Sequence, residues 1–384
     1  MRTLFFHSDD MGRFDFGLDH PMKPERVLKT VDLCRRYGLM DHPWMRTVAP
    51  MQADLGLLAL FHDPSYIAIL REASEGSEVR LEMLEHGIGT HDNPVIPGIF
   101  EWSLKAVGAT CSAMEGLATG DAERAFNPYG GLHHAMPDHA EGFCYLNDIA
   151  IAIRAALSEG RRIAYVDCDA HHGNGVQEAF WENPMALVIS LHETGKTLYP
   201  WSGWETEIGA GDGRGFNVNV PLEPGTDDEV YLFAFDAIVP PLLKAFSPEI
   251  VVAQIGADAL ISDPLTHLRL TNNAYQKVVR GIVGLGAKVL ALGGGGYDLY
   301  RTARCWTLAW GILNELEPRD EFAGLVGGMM FGPEMEVGSL YDYPYLSEGE
   351  VKERAWDEAR RVVRYIQEEV FPIHGIPLPG DRGL

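Results

Sequence analysis

The sequence predicts an α/β protein whose mostly parallel sheet is covered by helices on both faces. From about residue 120 onward, short strand-like segments alternate with segments of helical periodicity. The strand segments are continuously apolar, as in 249–255 (EIVVAQI) and 287–292 (AKVLAL), which is typical of strands buried on both faces. Polar residues follow several of these strands at their carboxyl ends, where open α/β sheets bind their ligands.

No linker or internal repeat interrupts the pattern, so we predict a single domain over residues 1–384. Its core covers about residues 3–315, and a charged amphipathic helix at about 347–370 packs on that core. The predicted strands are 3–7, 125–127, 162–166, 186–191, 216–220, 249–255 and 287–292. The predicted helices begin near Arg26 and then cover about 52–61, 64–72, 99–118, 146–158, a segment ending near 181, 227–246, 272–285, 297–313 and 347–369. Pro240 and Pro241 should kink or break the helix that contains them.

The chain is acidic, with 31 Lys and Arg against 55 Asp and Glu and a formal net charge of −24. No basic stripe is present, which argues against nucleic acid as a partner. An acidic surface can attract cationic substrates, but the simpler interpretation is that it keeps the protein soluble. The sequence does not indicate the oligomeric state.

The five cysteines are widely spaced and form no CxxC pair, which argues against both a disulfide framework and a thiolate metal site. The first ten residues, MRTLFFHSDD, become acidic too early for a signal peptide. No apolar run approaches the ~20 residues that cross a bilayer. We therefore expect a cytoplasmic protein without a membrane partner.

The segment YVDCDAHHGNG contains the strongest chemical signal. It places Asp167, Asp169 and His171 at alternating positions at the end of a buried strand. Alternate residues of an extended segment point to the same side, and charged side chains are rarely buried without partners. A polar strand end that caps the next helix would explain two aspartates alone. The added histidines favour a metal site.

Three more polar clusters follow predicted strands. They are Asp258 with Asp263, Tyr297 after four glycines, and the pair His133 and His134. Carboxylate and imidazole ligands fit Zn²⁺ first, with Fe²⁺, Co²⁺ or Mn²⁺ as possible substitutes. One of the two later carboxylates would complete the ligand set.

A metal lowers the pKa of its bound water toward neutrality, so a nearby histidine could act as the general base. An isolated histidine pair would more simply be two loop residues with ordinary hydrogen bonds. The phenol of Tyr297 could donate a hydrogen bond to an oxyanion. Phe143, beside Gly142, and Tyr199 could form the walls of an apolar channel, although single aromatic residues more often belong to the core.

Six strings together resemble the zinc-dependent histone deacetylase family. They are HPMKPERV, GGLHHAMPDHAEGFCYLND, YVDCDAHHGNGVQEAF, ISLH, GADALISDP and LGGGGYDLYRTARCW. The resemblance covers about residues 3–313 and is closest to the bacterial acetoin-utilisation-type deacetylases. It implies the arginase/deacetylase fold, a three-layer α/β/α domain with an eight-stranded, mostly parallel sheet. It also implies that Asp169, His171 and Asp263 bind zinc.

The same resemblance assigns roles to the other site residues. His134 would be the general base, His133 its electrostatic or acid partner, and Asp167 the group that orients the His133 ring. Tyr297 would polarise the acyl carbonyl. The resemblance also implies substrate contacts and a second ion. Phe143, next to Gly142, and Tyr199 would flank an acyl-lysine tunnel, Asp92 would bind the substrate backbone at the rim, and K⁺ would lie near Asp167, Asp169, His171, Ser190 and Leu191.

Two residues depart from the common family pattern. Asn174 stands where many members have an aspartate beside the second histidine, and an amide supplies no charge, so His134 should be less basic. Tyr199 stands where phenylalanine is common, which makes the tunnel wall more polar.

The sequence thus predicts a zinc amidohydrolase that removes an acetyl group from the ε-nitrogen of lysine in proteins. Acetylpolyamines and longer acyl-lysines are alternative substrates that require the same catalytic groups. A catalytically silent acyl-lysine binder is a third hypothesis, against which the retention of Tyr297 and both histidines argues.

Overall fold

The structure is a computed structural model that describes residues 1–318 and 339–378. Eight parallel strands form one sheet in the order β2-β1-β3-β8-β7-β4-β5-β6. The strands are β1 Thr3–Phe6, β2 Met45–Val48, β3 Arg124–Asn127, β4 Ile163–Asp167, β5 Ala186–Glu193, β6 Asn217–Leu222, β7 Ile250–Gln254 and β8 Lys288–Leu292. This sheet confirms the predicted fold class.

Helices flank the sheet. In chain order they are α1 Asp9–Gly12, α2 Glu25–Arg36, α3 Leu55–Leu58, α4 Pro64–Ser74, α5 Leu81–Glu85, α6 Ile99–Thr119, α7 Asp148–Ser158, α8 Asn174–Phe180, α9 Asp228–Phe246, α10 Asn272–Val283, α11 Leu299–Leu313 and α12 Gly349–Glu369. Every residue of β4 and β7 is buried, so helices cover both faces of the sheet there. No helix within the described ranges combines the length and the apolar character that a bilayer span requires.

Strand β2 and helices α1 and α5 are absent from the predicted elements, and the predicted helix over 52–61 shrinks to α3. Among the described residues, strand β2 pairs only with β1, at the edge of the sheet, and its residues are exposed or half-buried. A short, half-exposed edge strand therefore lacks the continuous apolar run by which the central strands were recognised.

Helix α9 runs unbroken through Pro240 and Pro241, so the expected break is wrong. Proline has no backbone N–H, so it cannot donate the helical hydrogen bond to the carbonyl four residues earlier. Here the carbonyls of Asp236 and Ala237 lose that hydrogen bond. Asp236 is exposed and Ala237 is half-buried, so water can satisfy those carbonyls.

The C-terminal helix α12 packs against α9 and the edge strand β6. Its buried residues recur at helical spacing along one face. They are Ala355, Ala359, Val362, Val363 and Ile366. Asp227 anchors the start of the helix: it is fully buried, caps α9 through the Val230 N–H, accepts the Ser347 N–H and pairs with Lys352.

Candidate active site and metal centre

The sheet register brings the carboxyl ends of β3, β8, β7 and β4 into one row, beside Ser190 in the interior of β5. Pairing runs across the sheet from Asn127 to Leu292, Gln254, Asp167 and Ser190. The loops that leave β3, β4, β7 and β8 therefore emerge side by side. Each of these four loops contains one of the polar clusters that the sequence singled out, which explains how they meet.

Three acidic and imidazole side chains form a compact buried cluster. The ligand atoms of Asp169, His171 and Asp258 all lie within 4.8 Å of one another. His171 Nδ1 is 3.1 Å from Asp169 Oδ1 and 2.9 Å from Asp258 Oδ2. Asp258 thus occupies the third position of this cluster. Asp263 is outside it, and its carboxylate accepts the N–H groups of Leu265 (3.0 Å) and Tyr297 (2.8 Å).

The electrostatics of this cluster fit a divalent cation. Burial and the Asp169 carboxylate raise the pKa of Asp258 to about 8. Burial likewise raises the pKa of Asp263 to about 6. Raised pKa values of buried carboxylates indicate that negative charge accumulates here without a compensating cation. A metal ion bound at this place would supply the compensating positive charge. The oxygen and nitrogen donors are those that Zn²⁺, Fe²⁺, Co²⁺ and Mn²⁺ accept.

The glycine run after β8 allows the backbone to approach these carboxylates. The Gly295 N–H donates to Asp169 Oδ2 at 2.7 Å, and Gln254 Nε2 donates to the same oxygen at 2.8 Å. A Cβ at Gly295 would lie 2.1 Å from Asp258 Oδ2, so no larger residue fits. The buried Arg26 guanidinium holds the run by donating to the carbonyls of Gly294 and Gly296. Sequence reasoning assigned no role to Gln254 or Arg26.

The paired histidines face each other beside the cluster, with their Nε2 atoms 3.1 Å apart. His133 Nδ1 is 2.8 Å from Asp167 Oδ2, an oxygen that also accepts the Tyr165 hydroxyl at 2.6 Å. Burial opposes protonation of His133, but the charges of Asp167 and Asp169 outweigh it and raise its pKa. His133 is therefore the histidine that holds a proton more firmly.

His134 has a neutral partner instead. Its Nδ1 is 2.7 Å from Asn174 Oδ1. Burial and the positive charges of His133 and His171 lower the pKa of His134 well below the ordinary value. A neutral His134 can accept a proton at Nε2, so the two rings differ in proton affinity: the pKa of His133 is raised and that of His134 is lowered.

A buried carboxylate that the sequence analysis missed fixes the loop before the histidines. Asp148, in the first turn of α7, accepts the Thr110 hydroxyl at 2.6 Å and the N–H groups of Gly131 and Leu132. These bonds fix the backbone immediately before His133. The signal in the sequence was an aspartate at a helix start, which is ordinarily read only as a favourable charge at the helix dipole.

Aromatic rings surround the open side of the histidines. The Phe143 ring lies 5.8 Å from the Tyr297 ring and 4.8 Å from His20, and the Tyr199 ring lies 5.2 Å from His134. Burial raises the pKa of Tyr297 well above its ordinary value, so its hydroxyl stays protonated as a donor.

Gly142 is required beside this ring cluster. Its φ is +52°, and a Cβ there would lie 2.4 Å from His134 Cδ2. Asp92 lies farther out: its side chain is exposed, while its backbone carbonyl is 3.0 Å from His20 Nε2. Asp92 is therefore connected to Phe143 through the His20 ring.

Three of the predicted K⁺ ligands, Asp167, Ser190 and Leu191, lie on the neighbouring strands β4 and β5, and Asp169 and His171 follow β4. Asp167 is directly opposite Ser190, and Leu191 follows it. Ser190 Oγ is 2.8 Å from His192 Nδ1, so this hydroxyl already has one partner. The potassium site stays a prediction.

Known proteins resemble this chain over most of its length. The model of the histone deacetylase domain matches residues 20–313. Acetoin utilization protein AcuC of Bacillus subtilis is 37% identical over 326 residues, which are 83% of this chain and 84% of AcuC. Human histone deacetylase 1 is 35% identical over 344 residues, which are 88% of this chain and 69% of the length of the human protein.

Solved structures resemble the fold as closely. A crystal structure of an HDAC homolog from Aquifex aeolicus superposes with a TM-score of 0.83 at 32% identity, over 94% of this chain and 100% of that one. The structure of an HDAC homolog complexed with SAHA has a TM-score of 0.82 at 33% identity, over 94% of this chain and 99% of that one. The buried Asp-His-Asp cluster, the histidine pair and these similarities agree: the chain belongs to the histone deacetylase family of hydrolases.

Proposed function

We propose that this protein is a zinc-dependent deacetylase that hydrolyses the amide bond of acetylated lysine ε-amino groups in proteins. The observation that carries the proposal is the convergence on one sheet edge of a buried metal-ligand cluster, the His133–His134 pair and the Tyr297 loop. Each performs a different task in amide hydrolysis, and the register of the sheet brings all three together.

Asp169 and His171 would hold the metal, with Asp263 as the third ligand that the family resemblance implies. Asp258 is the alternative third ligand, because its carboxylate lies in the cluster with His171. When bound, such an ion lowers the pKa of a coordinated water and polarises a carbonyl oxygen. Metal content distinguishes the two assignments. Elemental analysis of Asp258→Asn and Asp263→Asn identifies the third ligand as the aspartate whose replacement loses more zinc.

The protein groups provide proton transfer and charge stabilisation. Neutral His134 accepts the proton of the attacking water at Nε2, because its Nδ1 faces Asn174. The Asp167 carboxylate raises the pKa of His133, and a protonated His133 places positive charge beside the reacting centre and can supply a proton to the departing amine. The Tyr297 hydroxyl donates to the carbonyl oxygen as negative charge develops there.

Phe143 and Tyr199 would contact the uncharged acyl-lysine chain, and Asp92 would accept backbone N–H groups of a peptide at the rim. An acetylated polyamine is the second candidate substrate. The net charge of −24 favours it, because long-range attraction would draw a cationic amine toward the protein. Longer acyl chains remain a further substrate class to test.

The test is acetate release from an acetyl-lysine peptide by the protein reconstituted with Zn²⁺, compared with turnover of acetylputrescine. We expect His134→Ala to lower kcat about 10²–10⁴-fold and Tyr297→Phe about 10²–10³-fold. Tyr300→Phe is the matched control and should leave kcat unchanged, because Tyr300 lies in helix α11, three residues after Tyr297, with the Lys29 ammonium over its ring. Full activity in both site variants would contradict the proposal, and faster turnover of acetylputrescine would favour the second candidate.

A further inference from the structure

Asn174 has a second partner beyond His134. Its Nδ2 donates to Glu141 Oε2 at 3.2 Å, while its Oδ1 is 2.7 Å from His134 Nδ1. The carboxamide therefore bridges a carboxylate and the proposed general base. Glu141 lies in the segment that runs on from the histidine pair, two residues before Phe143.

The carboxylate decides which way the amide faces. A carboxylate only accepts hydrogen bonds, so it requires the Nδ2 end of Asn174 to face it. The opposite orientation would place two acceptor oxygens 3.2 Å apart. With Nδ2 turned to Glu141, Oδ1 must face His134, and an acceptor there requires the proton on Nδ1. The lone pair of His134 then resides on Nε2, the atom that faces His133 and the metal cluster.

Glu141 is itself held in place and charged. His139 Nε2 is 3.5 Å from Glu141 Oε2, and His139 Nδ1 is 2.7 Å from Asp138 Oδ1. Burial opposes ionisation of Glu141, but the interactions with His139 and then with Tyr199 and Asn174 outweigh it and lower its pKa. Its backbone is fixed by two hydrogen bonds with Cys144, at 3.1 and 2.9 Å. The side chain is 26% exposed, so the row from Glu141 to His134 leads from the surface into the site.

We propose that Glu141 is a positioning residue that acts through Asn174: it fixes the orientation of the amide and thereby the Nδ1–H tautomer of His134. It also places a negative charge one amide away from the ring, where a directly bonded aspartate would otherwise supply it. The proposal rests on the proposed function, since it gives His134 the part of general base.

Glu141→Gln is the first variant, because glutamine keeps the size of the side chain and can present either an amide or a carbonyl to Asn174. The amide of Asn174 can then turn, so we expect kcat to fall about tenfold, the effect of ~1.4 kcal/mol, with KM little changed. Glu178→Gln, at an exposed position of α8, is the matched control and should leave kcat unchanged.

Asn174→Asp gives a sharper signature. Alone, it sets two carboxylates side by side, which raises the pKa of one of them and disturbs the loop, so kcat/KM should fall. Combined with Glu141→Gln, the aspartate meets a neutral amide and accepts from His134 Nδ1 directly. We therefore expect the double variant to be more active than either single variant, which a purely structural role of Glu141 would not produce.

The tautomer can be observed without any substrate. In protein labelled with ¹⁵N-histidine, the His134 signals, assigned by their loss in His134→Ala, should show a protonated Nδ1 in the parent chain and a mixture of tautomers in Glu141→Gln. An unchanged tautomer and unchanged kcat in Glu141→Gln would overturn the inference, and so would a raised KM at constant kcat, which would mean that Glu141 contacts substrate. Full activity of His134→Ala would instead contradict the proposed function, so the two failures are distinguishable.

Discussion

The catalytic edge and the C-terminal helix α12 differ in where their charged side chains lie. The catalytic edge comprises the carboxyl ends of β3, β4, β7 and β8 with the loops that follow. At the catalytic edge, Asp167, Asp169 and Asp258 are buried. Burial raises the pKa values of Asp167 and Asp258, whereas His133 and His171 outweigh the effect of burial at Asp169 and lower its pKa. On α12 the buried residues are apolar, and the charged side chains lie at its surface or edge, as in the pair Arg361–Glu205.

This difference separates function from stability. Buried carboxylates cost free energy unless a cation or a hydrogen-bond network compensates them, so the stability of the catalytic edge depends on that compensation. Helix α12 is stabilised by the apolar area that it buries. Substitutions at the catalytic edge should therefore change activity most, and substitutions on α12 should change the free energy of unfolding while the folded protein keeps its activity.

The largest effect should come from metal removal. Chelation should abolish acetate release, and added Zn²⁺ should restore it, because the buried carboxylates then have their counter-charge. Zinc at 100 times its Kd should also raise the free energy of unfolding by about 2.7 kcal/mol, measured as a rise in Tm. In the His171→Ala variant, added Zn²⁺ should neither restore acetate release nor raise Tm. A zinc-dependent rise in Tm in that variant would mean that the ion binds elsewhere.

Ile366→Ala should have the next largest effect, on stability alone. Ile366 is fully buried on the inner face of α12. An isoleucine-to-alanine change in a core lowers the free energy of unfolding by about 2–5 kcal/mol. Urea unfolding measures the loss, and Ile366→Val, expected to cost about 0.5–1.5 kcal/mol, is the matched control. A fall in kcat/KM at temperatures where the variant is folded would show that α12 is coupled to the catalytic edge.

The smallest effect should be a pH-dependent one at the surface of α12. Arg361 holds the pKa of Glu358 below its ordinary value of 4.5, against the opposing effect of burial and with help from Lys196. Because the folded-state pKa is lower, the contribution is present above about pH 4.5 and disappears as the pH falls through that pKa. Glu358→Gln should therefore cost less than about 1 kcal/mol at pH 7 and nothing at low pH. An equal loss of unfolding free energy at both pH values would contradict this account.

The sequence predicted the central strands well and the edge poorly. Strands β4, β7 and β8 have continuous apolar runs because both of their faces are buried. Strand β2 has no such run, since it lies at the edge, and the resemblance to a family supplied the eighth strand instead. Helix α9 shows the converse: Pro240 and Pro241 are strong local signals, but the buried flanking residues Ile238 and Leu242 keep the helix continuous.

The sequence by itself determined that polar clusters follow the carboxyl ends of the strands, since charged residues placed after apolar runs need partners. It also determined the paired histidines, the Asn174 departure and the residue types that can bind a metal. Only the tertiary structure decided that Asp258 lies nearest His171 and that Glu141 reaches Asn174. The reason is physical: residues from different strand ends meet through the order and register of the sheet, and no local pattern in the chain encodes the distance between them.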